Sequence, residues 1–312
     1  MALLQQLGQV TLNQSTQNFT QAQYAEAIKD QDVVIIGWHS PRLDEAVLQC
    51  ANRLKLVVHT AGSVEPFLCD AVYQRQIKVI GGNELMAQSV AEGIIAYILA
   101  FNREIPRFQQ GLTREGQWKP QTFGTLSLVG KTVGIVSDGA ISRYLMAMLQ
   151  GFNVTILLYT RSLKTPLPFD NVRLVPLETL FEQSDYISLQ TALNEHTMGM
   201  IDARYLRRIK ANAVFINTAR AKVVNEADLL EGLTQQRFAA ILDVHYQEPL
   251  PRDNPYAALP NVFLMPHMAG PTNECRALIA KTLLQVIPEV LAGGTSIHEV
   301  DQAKFQSMSK AM

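Results

Sequence analysis

Side chains able to do chemistry gather in three short segments late in the 312-residue chain, each closing an apolar run. The first is Asn217-Thr218-Ala219-Arg220, the second Asp243-Val244-His245-Tyr246-Gln247-Glu248-Pro249, and the third Met265-Pro266-His267-Met268-Ala269-Gly270. In open α/β sheets, ligands bind where strands end. Arginine offers a planar, permanently charged fork that matches a carboxylate. Histidine titrates near neutrality and serves as acid or base. A glutamate hydrogen-bonded to an imidazole favours its charged form and fixes its tautomer. A redox reaction at a carbinol carbon bearing an acid needs such a set: Arg220 to hold the carboxylate, His267 to exchange the hydroxyl proton, and Glu248 to tune His267. Taken singly, each residue also reads as something ordinary: a surface ion pair, a loop histidine, a Glu-Pro turn. Their order and their common position after strands carry the inference.

A second constellation lies upstream. The apolar run Thr132–Ser137 followed by the helical pattern Ala140–Gly151 is the setting of a dinucleotide-binding turn, where G-x-G-x-x-G is expected. Here it reads Ser137-Asp138-Gly139-Ala140-Ile141-Ser142. Only the middle glycine remains, the one that lets backbone approach a pyrophosphate. Such a helix start binds anions through free N–H groups and the positive dipole end. Asp138 is expected to cap that helix, compete for the same donors and weaken dinucleotide affinity. The acidic residue that holds a ribose diol belongs at the end of the next strand, about 20 residues on. Thr160-Arg161 stands there instead, and a guanidinium suits a 2′-phosphate, so NADP is favoured over NAD.

These groups need a scaffold. Val33–Trp38, Leu54–Thr60, Thr132–Ser137, Thr155–Tyr159, Tyr186–Leu189, Ala213–Asn217, Ala239–Asp243 and Val262–Met265 read as buried strands. Helical spacing marks Pro41–Arg53, Ala140–Gly151, Ala203–Ile209 and Glu226–Gln235 between them. The alternation predicts parallel sheets with right-handed crossovers. Two longer helices, Ser89–Arg107 and Thr272–Ala292, are expected to cross between domains, so that residues 1–90 and 271–312 form one domain and residues 91–270 another. The polar stretch Gln109–Thr125 reads as a connection. The chain opens on a helix, Ala2–Leu7, where an α/β domain ordinarily opens on a strand; the first strand is either absent or encoded upstream.

Composition narrows the class. Hydrophobic residues make up 47% and charged residues 18%, a globular balance. A net charge of −1 offers no footprint for nucleic acid or an anionic membrane. Three scattered cysteines without a CxxC fit a reducing cytoplasm and exclude a disulfide scaffold or a cysteine zinc site. The opening MALLQQLGQV has no signal-peptide pattern, and the apolar stretch Gly93–Phe101 is too short to cross a bilayer.

The order NTAR…LDVxxxEPLP…PHMAGPT resembles the D-isomer-specific 2-hydroxyacid dehydrogenases, a family that includes glyoxylate/hydroxypyruvate reductases and phosphoglycerate dehydrogenases. Leu126–Ile135 (LSLVGKTVGI) and Ser89-Val90-Ala91-Glu92 add to the resemblance, which covers nearly the whole chain. It implies a Rossmann nucleotide-binding domain inserted into a smaller flavodoxin-like α/β substrate domain, an active site in the cleft between them, and a homodimer. The substrate implied is a small 2-oxo or 2-hydroxy acid, with hydride transfer to or from NAD(P). The resemblance makes Arg220 the substrate-binding arginine, His267 the acid/base and Glu248 its partner. It places Asp243 on the nicotinamide carboxamide, and Thr197, Thr218, Ala219 and Gly270 with His267 among the cofactor contacts. Gly62, Ser63 and Val64 match a loop whose backbone amides hold the substrate carboxylate. His59, ending a strand beside Gly62, is expected to line the cleft; His39, His196, His245 and His298 stand in no comparable setting.

The sequence also departs from the family pattern. Besides the phosphate turn, Ala221 replaces the usual glycine after the arginine, Asn225 an aspartate, and Gln190-Thr191-Ala192 the usual His-x-Pro. All of these lie on the cofactor side. A relative that had lost its cofactor would act as a binding or regulatory module, as the family's transcriptional corepressors do; the intact Arg220, Glu248 and His267 favour an enzyme.

Overall fold

The computed structural model describes residues 2–119, 122–161, 163, 166 and 169–310. Along the chain come α1 (Ala2–Leu7), α2 (Gln21–Ile28), β1 (Val33–Ile36), α3 (Glu45–Cys50), β2 (Leu56–His59), α4 (Ala71–Gln74), β3 (Lys78–Gly81) and α5 (Asn83–Asn102). Next follow α6 (Ile105–Glu115), β4 (Thr132–Val136), α7 (Ala140–Leu149), β5 (Thr155–Tyr159), β6 (Val172–Leu174), α8 (Leu177–Gln183) and β7 (Tyr186–Leu189). The remainder is α9 (Ala203–Leu206), β8 (Val214–Asn217), α10 (Glu226–Thr234), β9 (Ala239–Leu242), β10 (Val262–Leu264), α11 (Asn273–Leu291) and α12 (Gln302–Ser307). The chain divides into two compact units, Met1–Met86 with Pro271–Met312, and Ala87–Gly270.

The first unit holds a three-stranded parallel sheet, β1-β2-β3, with Val34 opposite Val57 and Val57 opposite Val79. Its helices start where side chains satisfy the free N–H groups. Thr20 and Gln23 form a capping box at α2, while Asp44, Thr272 and Asp301 cap α3, α11 and α12. The core gathers Tyr24, Ile28, Leu48, Val57, Val72 and Phe305. Among the described residues β1 pairs with β2 alone, and no strand precedes it. Its other flank borders a cavity of about 200 Å³ lined in part by Leu12, Phe19, Tyr24, Ile28 and Ile35.

In the second unit all seven strands run parallel in the order β6-β5-β4-β7-β8-β9-β10. The chain builds outward from β4 to β6, then returns to the other side of β4 through β7, which makes the β4–β7 boundary a topological switch point. Both faces are covered, so β7 and β8 are buried at every residue. Asp185, just ahead of β7, accepts from the Thr132 amide at 2.9 Å and from Lys210 Nζ at 2.8 Å, fixing the entry edges of neighbouring strands.

Several elements differ from the sequence expectation. Strands β3 and β6 and helices α2, α4, α8 and α12 were not expected; all have eight residues or fewer. The polar stretch Gln109–Thr125 is not simply a connection, because α6 runs through Ile105–Glu115; Pro120 and Gln121 lie outside the described residues. Helix α5 begins at Asn83, earlier than its apolar run, and by length and composition alone it is long and apolar enough to cross a membrane. Its stripe Ala91, Ile94 and Ile98 is instead packed into the core of the second unit.

Gly134, in the middle of β4, explains how α8 lies so close to the sheet. A Cβ there would stand 2.4 Å from Ser184 Oγ and 2.5 Å from Leu180 Cδ2. Both neighbours are fully buried, so they have no room to move. Gly134→Ala is therefore expected to destabilise the protein by about 1–3 kcal/mol through overpacking, read as a lower urea midpoint with an unchanged denaturant slope.

Candidate active site

The ends of β8, β9 and β10 bring the three late segments together. His267 donates its Nδ1–H to Glu248 Oε2 at 2.8 Å; the carboxylate can only accept, so this bond fixes the tautomer and leaves Nε2 as the other reactive nitrogen. The two side chains remain 45% and 39% exposed, open to a ligand. Partial desolvation pushes the Glu248 carboxyl up. The hydrogen bonds from His267 and the His245 amide, with the charge of both histidines, outweigh it and hold Glu248 below the usual carboxylate range. Glu248 is thus ionised near neutrality, as a partner for an imidazolium must be.

His267 has a backbone φ of +58°, an uncommon conformation for a residue with a side chain. The turn is held from below. Asp243, 1% exposed, accepts from the Met268 amide at 2.8 Å and from the Ala269 amide at 3.1 Å. Tyr97 of α5 donates its hydroxyl to the same carboxylate at 3.2 Å. Burial, then the Asp243 charge, pushes the Tyr97 hydroxyl upward, so it stays a donor. Gly93, a helical turn earlier on α5, lets that helix touch the turn directly: a Cβ at Gly93 would sit 2.3 Å from the Ala269 carbonyl oxygen. His245 donates its Nε2–H to the Met265 carbonyl at 2.8 Å, and its amide donates to Glu248 Oε1 at 3.0 Å.

Arg220 stands at the end of β8, half-buried, its backbone fixed by Asn217 Nδ2, which donates to the Arg220 carbonyl at 3.1 Å. Its Nη1 donates to the Ala219 carbonyl at 2.7 Å. Burial lowers its affinity for the proton and the Glu248 charge raises it, which places the guanidinium within the field of the Glu248–His267 pair. A guanidinium has five donors, and the fork retains capacity for a carboxylate. Where the family has aspartate, Asn225 caps α10 by accepting from the Asp228 amide.

The phosphate turn corrects one expectation. Asp138 does not cap α7: the N-cap is Gly139, without a side-chain bond, and the Asp138 carboxylate lies instead in the fork of Arg143, one turn into the helix. The ion pair offers a charge-assisted double bond that an N-cap cannot match. The first N–H groups of α7 are thereby left open at Ala140 and Ile141, and the space a Cβ would fill at Gly139 is clear to 4 Å. Ser137, where a glycine is usual, carries φ +93°, and Ser142, the third substituted position, donates its hydroxyl to the Ser137 carbonyl at 2.8 Å. With Gly139 as the one glycine of the fingerprint, the turn leaves its helix start open and fits a dinucleotide phosphate. Thr160 and exposed Arg161 follow β5 on the same side of the switch point.

Other expected residues are placed differently. The Thr197 hydroxyl does not face the crevice; it is 1% exposed, donates to the Ala192 carbonyl at 2.6 Å and accepts from the Asn194 amide. It closes a loop that the family's His-x-Pro would otherwise stiffen. Gln190, in place of that histidine, donates to Ser188 and to Thr218, orienting the Thr218 hydroxyl at the end of β8. Gly270 is buried at the close of the His267 turn. In the first unit, Gly62 and Ser63 are half-buried and Val64 is buried, with the Ser63 hydroxyl donating to the Ser309 carbonyl at 3.3 Å. His59 does not line an open surface. It is fully buried, its ring 5.0 Å from Phe67, and desolvation pushes it down to about 4 against the backbone of Gly62 and Ala61. Sequence reasoning missed Gly93, Tyr97, Arg143 and His245. The glycine inside an apolar helix was the one available signal.

Residues 95–269 match the family model for the D-isomer specific 2-hydroxyacid dehydrogenase, NAD binding domain. A glyoxylate reductase of Korarchaeum cryptofilum is 32% identical over 266 residues, covering 83% of this chain and 80% of the relative. A glyoxylate/hydroxypyruvate reductase B of Escherichia fergusonii is 31% identical over 285 residues, covering 88% and 86%. Among solved structures, the TT0316 protein of Thermus thermophilus superposes with a TM-score of 0.78 at 27% identity, covering 90% of each chain. With its Rossmann sheet, the Arg220, Glu248 and His267 set at the strand ends and these relatives, the chain belongs to the D-isomer-specific 2-hydroxyacid dehydrogenases, NAD(P)-dependent oxidoreductases that transfer hydride between 2-hydroxy and 2-oxo acids.

Proposed function

We propose that this chain reduces a small 2-oxo acid to the D-2-hydroxy acid with a reduced nicotinamide dinucleotide. The observation that carries the reading is the 2.8 Å bond from His267 Nδ1 to an ionised Glu248, beside the half-buried guanidinium of Arg220. Arg220 holds the substrate carboxylate through its fork and so turns the carbonyl oxygen toward the imidazole. His267, its Nδ1 committed to Glu248, donates the Nε2 proton to that oxygen, and Glu248 stabilises the imidazolium before the transfer. A bound nicotinamide supplies the hydride that the carbonyl carbon accepts. One oxo acid, one reduced dinucleotide and one proton become the hydroxy acid and the oxidised dinucleotide.

The cofactor's pyrophosphate is assigned to the α7 start, with Gly139, Ala140 and Ile141 donating and Ser137 and Asp138 shaping the turn. Thr218, Ala219, Asp243 and Gly270 flank the nicotinamide, and Thr197 supports that wall from beneath. Exposed Arg161, with Thr160 beside it and no carboxylate in that place, favours NADPH over NADH. Gly62, Ser63 and Val64 are assigned to the acid's carboxylate, which makes the Met1–Met86 with Pro271–Met312 unit the substrate domain and Ala87–Gly270 the dinucleotide domain. Three scattered cysteines without a CxxC suit a reducing compartment, and we place the protein in the cytoplasm.

A homodimer fits the apolar side chains left outside between residues 105 and 129. Ile105, Leu112, Trp118, Phe123, Leu126 and Val129 are 41–85% exposed, and the stretch is folded back on α5 and α6 by Leu126 N to Asn102 O and Gly124 N to Glu104 Oε1. Apolar surface gathered in this way marks a protein interface.

Three measurements test these assignments. His267→Ala is expected to lower kcat with glyoxylate, hydroxypyruvate or pyruvate by about 10²–10⁴-fold, leaving dinucleotide binding by fluorescence titration intact. Unchanged turnover rejects its role. Arg161→Ala is expected to raise the KM for NADPH about tenfold while that for NADH moves little; equal effects on both reject the 2′-phosphate assignment. Trp118→Glu is expected to convert a dimer to a monomer in light scattering, and a wild-type monomer rejects the dimer.

A further inference from the structure

His245 stands outside the acid/base set, yet its ring bonds the segment that presents His267 and its amide bonds Glu248. We propose that His245 is a positioning residue that locks the catalytic histidine and its glutamate into one rigid unit; this rests on the acid/base reading of His267 given above.

The argument begins with the backbone of His267. At φ +58° the residue occupies the left-handed region that side chains disfavour, so the surrounding structure must impose it. Two forces act after the residue: Asp243 grips the amides of Met268 and Ala269, and α5 presses on Ala269 through Gly93. Before the residue, the side-chain tie that anchors the chain is the bond from His245 Nε2–H to the Met265 carbonyl, 2.8 Å long. Met265 is already joined to the end of β9 by its own amide, which donates to Leu242 O at 2.9 Å, and His245 extends that grip to the last carbonyl before Pro266. Proline has no N–H with which to hold the strand further.

The same residue acts on the other partner. The His245 amide donates to Glu248 Oε1 at 3.0 Å, while Glu248 Oε2 accepts from His267 at 2.8 Å. One residue therefore fixes the far oxygen of the glutamate through its backbone and the approach to His267 through its ring. A proton donor displaced by an ångström loses much of its rate, so this clamp is expected to appear in kcat and not in ligand affinity. An aromatic ring of similar shape would fill the space without the bond. A carbonyl accepts only, so the clamp also requires His245 to carry its proton on Nε2.

The test has two independent parts. In the ¹⁵N-labelled wild-type protein near neutral pH, long-range ¹H–¹⁵N correlation is expected to show His245 protonated at Nε2; a neutral ring protonated at Nδ1 alone overturns the proposal, with no variant and no turnover needed. In kinetics, His245→Phe is expected to lower kcat about tenfold with both KM values within about twofold. His245→Gln, which keeps an N–H donor at a similar reach, is expected to recover most of that loss. A His245→Phe kcat within twofold of wild type, or a His245→Gln as impaired as His245→Phe, overturns the proposal. Amide exchange of Met268 and Ala269 reports the clamp even if no oxo acid is turned over: it is expected to accelerate in His245→Phe and not in His245→Gln, and equal exchange in both overturns it. Loss of turnover as an assay thus rejects the function proposed above, whereas the tautomer and exchange results decide the clamp.

Discussion

A parallel sheet covered on both faces has no room for polar chemistry along its strands. The five inner strands of the large sheet, β5, β4, β7, β8 and β9, are apolar and buried through most of their length, so polar side chains gather where the backbone leaves the sheet. That constraint concentrates Arg220, Asp243, Glu248 and His267 at three adjacent strand ends, β8, β9 and β10, although up to 47 residues of chain separate Arg220 from His267. It also sets the switch point beside β4, on the same edge of the sheet.

Because that constraint shapes the sequence, the polar residues that the strand ends bring together were legible in it. Arg220, Glu248 and His267 each follow an apolar run, and their order after three successive runs is what marks them. The long strands were equally legible, since uninterrupted Val and Ile leave no other reading. What escaped were features defined by shape. Gly93 is invisible as a contact until Ala269 is brought against it, and His245 looked like a loop residue until its ring met a carbonyl twenty positions later. Strand β6 escaped because it is mostly exposed and carries Arg173, β3 because Lys78 and Gly81 bracket an apolar pair, and α6 because its polar face dominates its composition.

The phosphate turn shows how far a motif can drift while its geometry persists. A glycine fingerprint specifies two things, a backbone that can take positive φ and a helix start free of side chains. Ser137 meets the first at some cost, and Ser142 offsets it by bonding the Ser137 carbonyl. Asp138 threatened the second, and Arg143 removes the threat by drawing the carboxylate sideways, away from the helix axis. The substituted residues bond to one another and to the turn, so that a pattern read letter by letter looks broken where the helix start stays open.

The free flank of β1 carries a different consequence. A row of N–H and C=O groups in extended conformation is a template that accepts any strand offered in register, and Ile35, 40% exposed, adds an apolar reward for pairing. The restraint on that template is Asp32 at the strand's entrance, with Arg53 and Lys55 both paired to it. Charges so placed act as gatekeepers against strand-to-strand association. The tendency of this edge to associate is therefore set by three charged side chains at the mouth of a four-residue strand.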